Sequence, residues 1–98
     1  MNEYQKEMMD KPSIETEGCA ICGRYMTERH HIVPRSQGGK DGPTITLCGW
    51  GNTGGCHGDA HNHKLHFRYQ DGWEYLRTKE PTKYESALTM KGWKSVKE

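Results

Sequence analysis

The chain has 98 residues, enough for one domain, and chains of this length bury only about 60–65% of their unfolded surface. Hydrophobic residues make up 32% of it, with a single Phe and 12 Gly, so the composition calls for a metal staple before any motif is considered. Lys and Arg (14) nearly balance Asp and Glu (13), and the net charge of +1 rules out an argument for nucleic-acid binding from bulk charge; any basic surface has to come from local clustering.

Residues 1–16 are polar and interrupted by Pro12. Tyr4, Met8 and Met9 fit either a short helix packed on the domain or a frayed tail. No apolar run marks a signal peptide, and none later reaches the length of a membrane span, so a reducing cytoplasm is the expected compartment. Four cysteines in that compartment read as zinc ligands, with two disulfides as the alternative. Gly18-Cys19-Ala20-Ile21-Cys22-Gly23 has the spacing of a zinc knuckle. Such a knuckle is a tight turn whose backbone N–H groups donate to the thiolates, with Gly23 free to take positive φ.

His31-Ile32-Val33 is short and β-branched and reads as a strand, which Pro34 confines to an edge or an end. A turn-rich loop over residues 36–43 leads to a second strand, Thr44-Ile45-Thr46-Leu47, and the two strands make a hairpin. Residues 49–55 are a glycine-rich excursion that carries Trp50. Residues 56–65 read as a helix, with His57 and His61 on its first turns and Leu65 toward the core. Gly58 costs such a helix about 1 kcal/mol against Ala, so metal binding has to help hold that turn.

His66-Phe67-Arg68-Tyr69 and Trp73-Glu74-Tyr75-Leu76 flank Gln70-Asp71-Gly72, an Asp-Gly hairpin signal between two alternating aromatic runs. Beyond Pro81, residues 84–89 read as a short helix with Tyr84, Ala87 and Leu88 on one face. The lysine-rich end, with Lys91, Lys94 and Lys97, reads as mobile. Trp50, Trp73 and Tyr75 read as members of a small core, with Trp50 also placed to reach a partner from its loop. His63 and His66 read as surface or packing residues. The chain thus divides into residues 1–16 as tail or short helix, 17–78 as the main domain with its second hairpin, and 79–98 as a short helix and basic tail.

The chemistry concentrates in the middle. Cys19-x2-Cys22 and Cys48-x7-Cys56 bracket a histidine set, and four thiolates would hold a tetrahedral zinc. That zinc would tie the segment before the first strand to the end of the second strand and the start of the helix; His57 is the alternative to one cysteine. Adjacent His30 and His31 face opposite ways on a strand, so one ring can hold a metal while the other moves a proton. His57 and His61 stand at i and i+4, share one helix face, and can hold one ion together.

The run His30-His31-Ile32-Val33-Pro34-Arg35-Ser36-Gln37-Gly38-Gly39, then Leu47-Cys48, then Cys56-His57-x3-His61, resembles the HNH endonuclease family in its zinc-stapled ββα-metal form. The resemblance spans residues 17–65, about half the chain. It implies an α+β fold, a small zinc-stabilised ββα-metal, treble-clef-like domain with the second hairpin added. It implies a metal-dependent DNA endonuclease that hydrolyses phosphodiesters in double-stranded DNA. In that reading His31 is the general base, and His30, His57 and His61 hold one divalent ion beside it. Mg, Mn, Ni and Zn are the candidate ions, and histidine-rich ligation favours a transition metal. Cys19, Cys22, Cys48 and Cys56 hold a structural zinc. The family's middle asparagine is missing between His31 and Cys48, and Thr44 is the candidate to orient the base in its place. Arg35, Lys40, Lys64 and Arg68 are candidate phosphate contacts, which position DNA without reading sequence. Small stand-alone chains of this kind resemble phage or prophage proteins that act beside a packaging enzyme in a bacterial cell. The expectation is a monomer or weak dimer that nicks one strand at a time. A binding module of the same fold that has lost turnover, and an RNA-directed nuclease, are the alternatives.

Overall fold

The computed structural model describes residues 3–50 and 54–96. Its elements run α1 (Glu3–Met8), β1 (Thr27–His31), a 3-10 turn (Arg35–Gln37), β2 (Thr44–Cys48), α2 (Gly55–His61), β3 (Leu65–Tyr69), β4 (Trp73–Arg77), α3 (Tyr84–Leu88) and β5 (Lys94–Ser95). The result is a small α+β fold with two antiparallel sheets, β1-β2 and β3-β4-β5.

The first hairpin pairs His31 with Thr44, His30 with Ile45, Arg29 with Thr46 and Glu28 with Leu47. Because side chains alternate along a strand, Glu28 and His30 share one face with buried Ile45 and Leu47, while Arg29 and His31 share the other with Thr44 and Thr46. On that second face the Arg29 guanidinium donates to both threonine hydroxyls and to the Ile14 carbonyl. Ile14 itself bridges to Ile45 as a parallel third segment. The first strand therefore ends where the sequence placed its beginning: it is Thr27–His31, and Ile32 and Val33 lie past its end. Val33 is fully buried in the core, so its β-branched, apolar character reflects burial rather than strand pairing.

The core gathers Met8, Ile14, Val33, Ile45, Leu47, Leu65, Phe67, Trp73 and Val96, with the cysteines at one edge. Of the two alternatives for the N-terminus, the helix is the one present, and it buries Met8. Between the two strands the chain turns tightly enough that a Cβ on Gly39 would lie 1.9 Å from the Val33 carbonyl oxygen, so only glycine fits there.

Three further expectations need correction. The helix after the second strand stops at His61 rather than Leu65. Asn62 caps it and His63 takes φ 61°, which turns the chain so that Leu65 opens β3 instead. The lysine-rich end contains a short strand: Lys94 and Ser95 pair with Tyr75 and Glu74, and the Trp93 indole N–H donates to the Ala87 carbonyl at 3.2 Å. Lys97 lies outside the described residues. Trp50 is 71% exposed and belongs to no core, whereas Trp73 is buried and donates to the Pro12 carbonyl. Gly51, Asn52 and Thr53 of the glycine-rich excursion lie outside the described residues.

The second hairpin matches its sequence signal. Asp71 and Gly72 both take positive φ in a three-residue connection, residues 70–72, and β3 pairs with β4 from Leu65–Arg77 to Tyr69–Trp73. Among the described residues no helix is long and apolar enough to cross a membrane.

Candidate metal centres

The first centre is built by the knuckle, the end of β2 and the start of α2. Gly23 adopts φ 82° and returns its N–H to the Cys19 carbonyl at 2.9 Å, closing the turn that presents Cys19 and Cys22. The Ile21 N–H points at the Cys19 Sγ, and the Cys56 N–H at the Cys48 Sγ, each at 3.4 Å. All four cysteines are free, and their sulfurs lie within 4.8 Å of one another. A tetrahedral zinc with Zn–S near 2.3 Å requires sulfurs about 3.8 Å apart. The Cys22–Cys48 separation is 3.3 Å and Cys22–Cys56 is 3.9 Å, so the set fits one zinc ion with small adjustments. Without a metal the four groups compete for protons. The hydrogen bond from Cys56 holds the Cys19 thiol down to about 4, and the same contact pushes Cys56 up. Metal binding requires all four as thiolates, and a divalent cation at the centre would offset the repulsion among them.

The second centre lies where β1 meets α2. His30, His57 and His61 offer ring nitrogens that all lie within 4.8 Å of one another. His57 and His61 are one helical turn apart, and their Nε2 atoms approach to 3.1 Å. Two imidazoles on one ion, with metal–nitrogen bonds of about 2.1 Å, stand about 3.0–3.4 Å apart, so this pair fits a shared cation. The His30 ring packs edge-on against both, with centroids 5.2 Å from each. Burial first, then the neighbouring His57, His61 and His31, hold His30 down to about 3, and burial followed by His57 lowers His61. Both therefore stay neutral at physiological pH, the form that can ligate.

Glu28 was not foreseen from the sequence. Its carboxylate lies 3.2 Å from His57 Nδ1, where it accepts a hydrogen bond from the Nδ1–H tautomer, the form whose Nε2 lone pair faces His61. Carboxylate–histidine pairs of this kind fix the tautomer and angle of a metal-binding ring. Its i, i+2 spacing from His30 would have exposed it had the strand been extended back to Thr27.

His31 projects from the other side of β1 into a cleft of about 1110 Å³ that the histidine trio also lines. Arg35, from the 3-10 turn, brings its Nε to 3.5 Å from His31 Nε2. Thr44 stands opposite His31 in register, but its hydroxyl is engaged by Arg29 and Ser13. Among the candidate phosphate contacts, Arg35 lines the cleft, while Lys40, Lys64 and Arg68 are not among its lining residues. Arg68 is paired with Glu74 at 2.8 Å and lies over the Trp93 ring at 4.3 Å. Arg29 and Lys83 are cationic cleft residues that the sequence reading did not single out. His63 is an exposed surface residue, and His66 is a buried packing residue with its Nε2 on the His63 carbonyl.

No family model matches the chain, and neither the curated proteins nor the solved structures contain a significant match to it.

Proposed function

We propose that this protein is a metal-dependent endonuclease of the HNH type, with a structural zinc at Cys19, Cys22, Cys48 and Cys56 and a second divalent ion at His30, His57 and His61. The observation that carries the reading is the division of labour between neighbours on β1. His30 joins His57 and His61, and the next ring, His31, enters the same cleft from outside that trio.

When bound at the three histidines, the cation would offset charge on the scissile phosphate and on the departing oxygen. The chain's own residues supply the rest. His31 takes a proton from the attacking water, a task for which a free imidazole is suited and a metal-bound one is not. Arg35 beside it offers a guanidinium to a phosphate oxygen. Glu28 holds His57 with Nε2 free of its proton. The substrate in this reading is double-stranded DNA, cut one strand at a time because the chain carries one such trio among its described residues.

An end-labelled DNA duplex incubated with Mn²⁺ or Ni²⁺ tests this. Cleavage that chelator and His31→Ala both abolish, and that unlabelled RNA competes poorly, is expected. Uncut duplex with a fully zinc-loaded protein refutes it.

One observation favours a second reading, a binding module of the same fold without turnover. Thr44, the residue opposite His31, spends its hydroxyl on Arg29 and Ser13, leaving the marginal 3.5 Å contact from Arg35 as the polar neighbour of the His31 ring. In that case the duplex binds and stays intact. Phage origin and a packaging enzyme as partner belong to the same proposal and rest on resemblance alone.

A further inference from the structure

We propose that Arg77 belongs to the cysteine centre as its charge-compensating cation, and that it governs how tightly the centre keeps its metal. This rests on the zinc reading of the four cysteines and is independent of whether the protein cuts DNA.

Arg77 ends β4, paired with Leu65 across the second hairpin, far in sequence from every cysteine. Its Nη2 donates to the Cys56 Sγ at 3.1 Å. Its Nη1 donates to the Asp59 carboxylate. Asp59 follows Cys56 by less than one turn of α2, so a single short helix presents both the sulfur and the anion that aims the guanidinium at it.

Four thiolates around Zn²⁺ leave a net charge of about −2 on the centre. The protein meets that charge sulfur by sulfur. Cys19 receives the Ile21 N–H, Cys48 receives the Cys56 N–H, and Cys22 is exposed to water. Cys56 is only 4% exposed, so water has little access to it, and the partly exposed Arg77 supplies both a donor and a full positive charge. An N–H bond to a thiolate also draws electron density from the sulfur, which makes it a poorer nucleophile toward electrophiles and a poorer base toward protons. Arg77 thus links the second hairpin to the centre: the β3-β4 unit closes the metal site electrostatically as well as sterically.

The test uses the zinc-loaded full chain. Zinc transfer to a chromophoric chelator is timed for wild type, Arg77→Met, Arg77→Lys and Asp59→Asn, and alkylation of Cys56 by iodoacetamide is followed by mass spectrometry. Arg77→Met should release zinc about 10–100-fold faster, the range typical for losing a group that supports a metal ligand, with faster alkylation of Cys56. Arg77→Lys should recover part of the retention, because charge returns without the fork that reaches both partners. Asp59→Asn should fall between wild type and Met. If Arg77→Met does not fold, Asp59→Asn carries the test, since it leaves the guanidinium present but unanchored. Wild-type release and alkylation in the folded variants would overturn the proposal. So would a lysine variant no better than methionine, which reduces Arg77 to a packing residue. A wild type that carries no zinc overturns it together with the cysteine-centre reading, and zinc content distinguishes that failure from the others.

Discussion

Glu28→Gln isolates the positioning of one histidine from the supply of ligands. The glutamine keeps the shape of the side chain and removes the negative charge that His57 Nδ1 faces at 3.2 Å. Loss of a partner behind a metal-binding histidine costs about 10–100-fold in metal affinity. Two features place this site at the low end. The separation exceeds the roughly 2.7–2.9 Å of a strong charge-assisted bond, and the Glu28 side chain is 44% exposed, so water shares the task. The expected effect is about tenfold in Kd, or about 1.4 kcal/mol. Calorimetric titration of Ni²⁺ into zinc-loaded protein reads it directly, with His57→Ala alongside as the loss of a ligand. The cysteine-bound zinc should be unaffected in both. An unchanged Kd in Glu28→Gln, with binding abolished in His57→Ala, would show that Glu28 does not orient the ring.

Other consequences are open to simpler measurements. Stripping the cysteine zinc with a strong chelator should unfold the chain, lost near-UV signal from Trp73 being the readout, because so short a chain has little core to fall back on. Gly39→Ala should lower stability by about 1–3 kcal/mol in urea denaturation, since its Cβ would sit 1.9 Å from the Val33 carbonyl and the loop carrying Arg35 would have to shift. Leu47→Ala, at a fully buried position of β2, should cost about 2–5 kcal/mol by the same assay. Acid sensitivity has a definite sign. His30 titrates near 3 in the fold against about 6.5 in the unfolded chain, so the unfolded state takes up the proton first. Its contribution is complete above about pH 6.5 and is lost as pH falls toward 3, with a slope of up to about 1.4 kcal/mol per pH unit. In protein free of the second metal, His30→Asn should flatten urea stability against pH between about 6.5 and 4 relative to wild type. Parallel curves would contradict the half-buried, neutral His30.

The parts of this molecule that were legible in its sequence are those governed by neighbours along the chain. Asp71-Gly72 specifies its own turn, and both residues take the positive φ such a turn needs. His57 and His61 meet because one helical turn separates them, and the knuckle cysteines meet because Gly23 closes the loop. What escaped the reading depends on partners far away. Thr27-Glu28-Arg29-His30-His31 has no apolar residue, yet it is a strand. Its own side chains find polar partners, Arg29 on Thr44, Thr46 and Ile14, and Glu28 on His57, while the apolar residues of this sheet, Ile45 and Leu47, come from β2. Apolar alternation could not reveal it. The β5 pair is two residues long and exists because β4 offers an open edge. Arg77 reaches Cys56 only after the second hairpin has folded back onto α2.

The most direct measurement for the account as a whole is relaxation of supercoiled plasmid by wild type, His31→Ala and His57→Ala, each zinc-loaded, in Mg²⁺, Mn²⁺, Ni²⁺ or EDTA. Metal-dependent open circles, appearing before linear product, are expected with wild type alone. Plasmid left supercoiled by wild type in every metal, or relaxed equally by all three proteins, would contradict the proposed function.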